Sequence, residues 1–183
     1  AGDIGEEDNY LVTVVDFLEA QAQNGSIRLY NDTNLIIGGF TSMEGLSAAG
    51  ALKVKAAGSL DILENIMAGG LIVLTTTDSA AMGENILVPD GIRISSENAS
   101  VTLRAGDDLT LENGALLQAK NQVSLEIDYS TSNPDPGVGG NLDLFGQILA
   151  PSLGITGHED NDTVIIRTNS LLPHTVIAAG NGD

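Results

Sequence analysis

The side chains with chemistry to offer in this chain are mostly acids. Twenty-five Asp and Glu stand against seven Lys and Arg and two His in 183 residues, a net charge of −18. Two acidic turns recur with one spacing: Gly157-x-x-Asp160 and Gly180-x-x-Asp183 lie 23 residues apart, with Asp162 and Asn181 beside them. The 23-residue spacing is about the length of one coil of a repeat, and Asp160, Asp162, Asn181 and Asp183 are the acidic and amide residues of its two turns. Asp107-Asp108 is a second, weaker acidic pair. Catalysis is harder to support. Glycoside hydrolysis needs two carboxylates flanking a bond, and polysaccharide lyases need a base in a sugar-binding groove. The carboxylates are scattered among turns, with no defensible pair. Only three Tyr, three Phe and no Trp are available to stack on sugars. The basic residues are Arg28, Lys53, Lys55, Arg93, Arg104, Lys120 and Arg167. Lys55 and Arg104 hold equivalent places in an internal repeat, which suits side chains lying over outer strand faces. The chain reads as non-enzymatic.

Other reactive types are sparse. His158 and His174 have no Cys or Glu-x-x-His partner, so the pattern does not make a zinc site. Asn24, Asn31, Asn98 and Asn161 head glycosylation sequons. Thr75-Thr76-Thr77 is a lone cluster, without the recurrence an ice-binding face requires.

The elements that must position these residues are short. Leu52-Lys53-Val54-Lys55, Val101-Thr102-Leu103-Arg104 and Val123-Ser124-Leu125-Glu126-Ile127 alternate apolar and polar with period two, as half-buried strands do. Gly, Asn and Asp stand between the runs and suit turns. The runs follow too closely for hairpins crossing a sandwich. Leu52-x-Val54 and Leu60-x-Ile62 superpose on Val101-x-Leu103 and Leu109-x-Leu111, both at an offset of 49 residues. Leu63-Glu64-Asn65 recurs as Leu111-Glu112-Asn113 at an offset of 48, one residue slipped. A third copy is Leu142-x-Leu144 with Ile148-x-Ala150, likened to Leu116-x-x-Ala119. Such periods indicate a solenoid. The expectation is a parallel β-helix over residues 25–178, roughly seven coils of about 22 residues. Val54, Ile62, Leu103, Leu111, Leu125 and Leu144 point inward. A β-sandwich is the alternative, but it would show longer strands and an aromatic core.

Two segments depart from the pattern. Leu11, Val14, Val15 and Leu18 have helical spacing, so residues 10–23 read as a short amphipathic helix or an irregular cap, with a first strand at Phe17–Ala20 as the alternative. Residues 129–140, with two Pro and three Gly, read as a projecting loop. The domain reading is an acidic segment and cap at 1–24, then a solenoid at 25–183.

Composition narrows the classes further. The acidic excess argues against nucleic-acid and anionic-membrane partners. No apolar run reaches the ~18 residues of a membrane-spanning helix. With no Cys, no disulfide framework exists. Residues 1–9 carry no signal-peptide pattern, and the final residues stop within a turn-like sequence, so the chain reads as a segment of something longer.

The order Leu18-Glu19-Ala20 with Asn24-Gly25, Leu35-Ile36-Ile37-Gly38, Val101–Asp108, Pro134–Gly139, Leu142–Pro151 and Asp160–Val164 resembles repeat units of giant secreted bacterial surface proteins of the filamentous-haemagglutinin type. That resemblance covers nearly all the chain from Leu18. It implies a right-handed parallel β-helix, tandem copies, export to the cell surface and an adhesive or scaffolding role. Gly157–Val164 also resembles the hemolysin-type calcium nonapeptide, with Asp162 at its Asp position and Val164 at its apolar position. His158 and Asp160 stand where that motif has glycines. The ion implied is Ca2+, a hard cation that takes oxygen donors, with Asp160, Asp162, Asn181 and Asp183 as the ligands the resemblance implies. The implied partners are neighbouring copies or tandem repeats of the same protein, with cell-surface glycans as the alternative.

Overall fold

The computed structural model describes residues 2–39, 41–80, 83–130, 138–158, 160–168 and 173–178. It is a parallel β-helix of three sheets. Sheet I stacks Leu11–Thr13, Ile27–Asn31, Leu52–Ala56, Ile72–Thr76, Val101–Arg104, Gln122–Ile127, Ser152–Gly157 and His174–Ala178. Sheet II stacks Phe17–Leu18, Leu35–Ile37, Leu60–Ile62, Ile86–Val88, Leu109–Leu111, Asn141–Leu144 and Thr163–Ile166. Sheet III stacks Ala20–Ala22, Leu46–Ala48, Ile66–Ala68, Arg93–Ser96, Leu116–Ala119 and Gln147–Leu149. The first six rungs visit I, II and III once each, the next adds a strand to I and to II, and His174–Ala178 adds the last described strand of I, so all pairings between these strands are parallel.

The core is a set of aliphatic columns. Ile27, Leu52, Ile72, Val101, Val123 and Leu153 stack in register down one column of sheet I, each essentially buried. Leu29, Val54, Leu74, Leu103, Leu125 and Ile155 form the next. Like residues repeat one rung, about 4.8 Å, apart, so branched aliphatic side chains fill the narrow interior without rings. All six residues expected to point inward are at most 1% exposed.

The repeat resolves into rungs of unequal length. Leu52 pairs Ile72, 20 residues on, and Ile72 pairs Val101, 29 residues on. The 49-residue offset is therefore two rungs. Most of the spread arises at the corner between sheets I and II, where the link is residues 57–59 in one rung and 77–85 in the next.

Three local expectations change. Residues 10–23 are not a helix; they supply the first strand of each sheet, and no described residue is helical. Leu11, Val14 and Val15 stay exposed because no described rung covers them, so their helical spacing reflects strands and corners of three residues or so. The β-helix thus runs through residue 24 to Leu11. Leu63 is not the partner of Leu111: Leu35, Leu60, Ile86 and Leu109 stack in one inward column, the residues two positions on (Ile37, Ile62, Val88 and Leu111) follow in the next, and Leu63 is exposed. Ile148 stacks on Leu117 rather than Leu116. The expected loop at 129–140 falls mostly on 131–137, outside the described residues.

Ahead of the first rung, Ile4 bridges Ile27 in parallel and packs on the core. The acidic segment around it is held by charge. Glu7 reaches Arg28 (2.5 Å) and Lys53 (2.6 Å), and Asp3 reaches Arg28 (3.4 Å).

Candidate functional site

Acids collect at the corner between sheets I and II, where the links are longest. There the carboxylates of Asp78, Glu84 and Asp107 come within 4.8 Å of one another. Asp78 and Glu84 lie on the link that follows Ile72–Thr76, and Asp107 on the link one rung above. The backbone organises them. Asp107 Oδ2 accepts hydrogen bonds from the backbone N–H of Gly83 (2.6 Å) and Glu84 (2.8 Å). Thr76 Oγ1 accepts from the Gly106 N–H (2.9 Å) and donates to the Glu84 carbonyl. Ser79 Oγ donates to Glu84 Oε1 (2.8 Å). Gly106 permits the close approach of the rungs, since a Cβ there would meet Asp78 N at 2.6 Å and Glu84 Cβ at 2.8 Å.

The electrostatics of the cluster are unfavourable as it stands. Asp78 is 8% and Glu84 7% exposed. Burial pushes the Glu84 carboxyl above its ordinary value; the Ser79 hydroxyl opposes this, and the neighbouring Asp107 carboxylate adds to it. Glu84 Oε2 is buried and accepts no hydrogen bond. An all-oxygen set of this kind relieves its repulsion by taking a proton or a hard cation.

Of the residues singled out in the sequence as ion ligands, Asp160 and Asp162 lie at the same corner but outside this cluster. Asp162 Oδ1 accepts from the Gly140 N–H (2.9 Å), and its carboxylate occupies the space a Cβ on Gly157 would need. The Asp160 N–H donates to Asp128 Oδ2 (3.2 Å). Asn181 and Asp183 lie outside the described residues. Of the Asp107-Asp108 pair, Asp107 joins the cluster, while Asp108 Oδ1 binds the Asn141 N–H (2.9 Å) and side-chain amide (2.8 Å). Asp78 and Glu84 were not anticipated. They are six residues apart on a long corner link, and only rung stacking brings Asp107 to them.

The outer face of sheet I is the second notable surface. Arg28, Lys53, Val73 and Thr102 form one outward column, and Tyr30, Lys55, Thr75, Arg104 and Glu126 the next. Lys55 Nζ sits over the Tyr30 ring (5.8 Å to the centroid), and the Arg104 guanidinium over Tyr129 (4.9 Å). Arg104 Nε pairs with Glu126 (3.0 Å). The equivalence of Lys55 and Arg104 in the repeat is a shared column, two rungs apart. Among the sequons, Asn31 is fully buried and bonded to Thr13 and to the Val15 backbone, so it is closed to modification in the fold.

Fold and site together define a parallel β-helix with a buried carboxylate cluster at one corner and a cation- and tyrosine-bearing face. Comparison of the chain with protein-family models, curated proteins and solved structures finds no match.

Proposed function

We propose that this chain is a structural β-helix module: a stretch of rod that spaces or scaffolds, as in the extracellular bacterial surface proteins its sequence resembles, with no catalytic role. The observation that supports this reading most is the state of its ends. Leu11, Val12, Val14 and Phe17 are exposed on the first rung, and Val176 and Ile177 on the last described strand of sheet I. These are apolar side chains exposed at the two ends of the described stack, the kind of surface on which another rung adds. The occupant is another β-helix rung, from a tandem repeat or from a second copy. A head-to-tail contact is heterologous, so copies add as a filament and not as a closed dimer.

Joining two copies in tandem in one polypeptide tests axial continuation. One cooperative unfolding transition, at a midpoint above that of the single copy, is expected. Two independent transitions at the single-copy midpoint overturn the reading. Sedimentation of the single copy over a concentration series separates the routes: association means stacking between chains, and a monomer throughout restricts stacking to repeats within one chain.

Calcium binding belongs to the same reading, with the Asp78–Glu84–Asp107 cluster as the set whose donor chemistry fits. Glu84 Oε2, buried and without a hydrogen bond, is the observation in its favour. The ion would remove carboxylate repulsion and stabilise the folded state by mass action.

A further inference from the structure

We propose that the outer face of sheet I binds an acidic saccharide, with a uronate carboxylate held between Lys55 and Arg104. Charge is unevenly distributed over the molecule. The chain carries a net charge of −18 and seven cationic side chains, yet Arg28, Lys53, Lys55 and Arg104 stand in two adjacent outward columns of one sheet. All three tyrosines of the chain adjoin the same face: Tyr30 within it, Tyr10 and Tyr129 bordering its groove. In a chain of net charge −18, a face that gathers four of the seven cations is a place where an anion is tolerated.

The cations are not equivalent. Arg28 and Lys53 are occupied by Asp3 and Glu7. Lys55 makes no ion pair among the described residues, and Arg104 uses Nε for Glu126. Lys55 pairs Thr75 and Thr75 pairs Arg104, so the two cations flank one threonine across two rungs, about 10 Å of backbone. A carboxylate over Thr75 would lie between them.

The rest of the groove selects a hydroxyl-rich ligand. Its volume is about 520 Å3, within the range of small-molecule sites. Thr75, Thr77 and Thr102 line it, and each hydroxyl both donates and accepts. Thr77 Oγ1 is buried and makes no hydrogen bond, a polar atom in the groove wall that a ligand hydroxyl would satisfy. Tyr129 is fixed as a side wall, edge-on to His158 (5.3 Å, 81°) and under Arg104. One carboxylate among many hydroxyls is the composition of a uronic-acid sugar, and columns that continue from rung to rung suit an oligomer.

The test is calorimetric titration of the full chain at low salt with trigalacturonate, and with maltotriose as the neutral counterpart. Trigalacturonate is expected to bind, and maltotriose to bind at least about tenfold more weakly. Lys55→Gln with Arg104→Gln should weaken trigalacturonate binding by about tenfold or more, with the thermal midpoint kept, and Lys120→Gln should leave binding unchanged. Lys55→Gln alone, at a site with no ion pair to lose, serves if the double variant is destabilised. Trigalacturonate failing to bind at millimolar concentration, equal binding of maltotriose, or full binding by a folded variant overturns the proposal. The scaffold reading does not depend on the result.

Discussion

Asp107 holds the backbone of Glu84 from one rung above, accepting its N–H at 2.8 Å while its carboxylate crowds that of the same residue. The contact is favourable to the main chain and unfavourable to the side chain. Burial makes the second effect larger, because water is not there to screen it.

That opposition sets a pH dependence. The folded value of Glu84 is raised above its ordinary one. Stability from the bound proton is therefore fully present below the ordinary carboxylate value and is lost as pH rises through the raised value. Glu84→Gln keeps Oε1 for Ser79 and removes the charge. Denaturant titrations across this window should show a flatter pH profile for Glu84→Gln and greater stability than the parent at neutral pH. Equal loss of stability at acidic and neutral pH would assign Glu84 a different role.

Calcium should act on the same group. Millimolar Ca2+ is expected to raise the thermal midpoint of the parent chain. Asp107→Asn should lose that rise and Asp162→Ala should keep it. The reverse pattern would put the ion at the C-terminal turn.

The opposite sign applies to Glu7. Hydrogen bonds and charge from Lys53, and then from Arg28, hold its carboxyl below the ordinary value. The stabilisation it contributes is present above the ordinary value and is lost as pH falls through the lowered one. Hydrogen exchange at the Ile4 and Arg28 amides, which bond Ser26 and Ile4 across this segment, should accelerate in Glu7→Gln, while core amides such as Leu103 stay protected.

Gly106→Ala probes the rung contact directly. The added Cβ would lie 2.6 Å from Asp78 N, which is backbone and cannot swing aside. A loss of about 1–3 kcal/mol is expected from overpacking, read by denaturant midpoint.

The inward columns have a simpler test. Leu111 is fully buried between Val88 and Leu144 of adjacent rungs. Leu111→Ala should cost about 2–5 kcal/mol, and Leu111→Asp should unfold the chain by burying an unpaired charge. A parent-like midpoint for Leu111→Asp would contradict the inward assignment.

The single rung is legible from local sequence. Period-two alternation at Leu52–Ala56 and Val101–Arg104, with small and turn-forming residues between runs, is local information, and local information decides strand, face and turn. Stacking like on like then makes the inward columns legible, as with Val54 and Leu103. What meets across rungs is set by the folded chain alone. The links at the sheet I–II corner differ in length, so no fixed offset relates Asp78 or Glu84 to Asp107; the match of Leu63 to Leu111 is only a local likeness, since Leu63 lies in the link after Leu60–Ile62 while Leu111 is the inward end of its strand. The first rung misled for a related reason: with no described rung beneath it, Leu11 and Val14 remain exposed and their spacing carries no facial signal. The gathering of cations on one face likewise follows from register, which is a property of neighbouring rungs and not of any one run of residues.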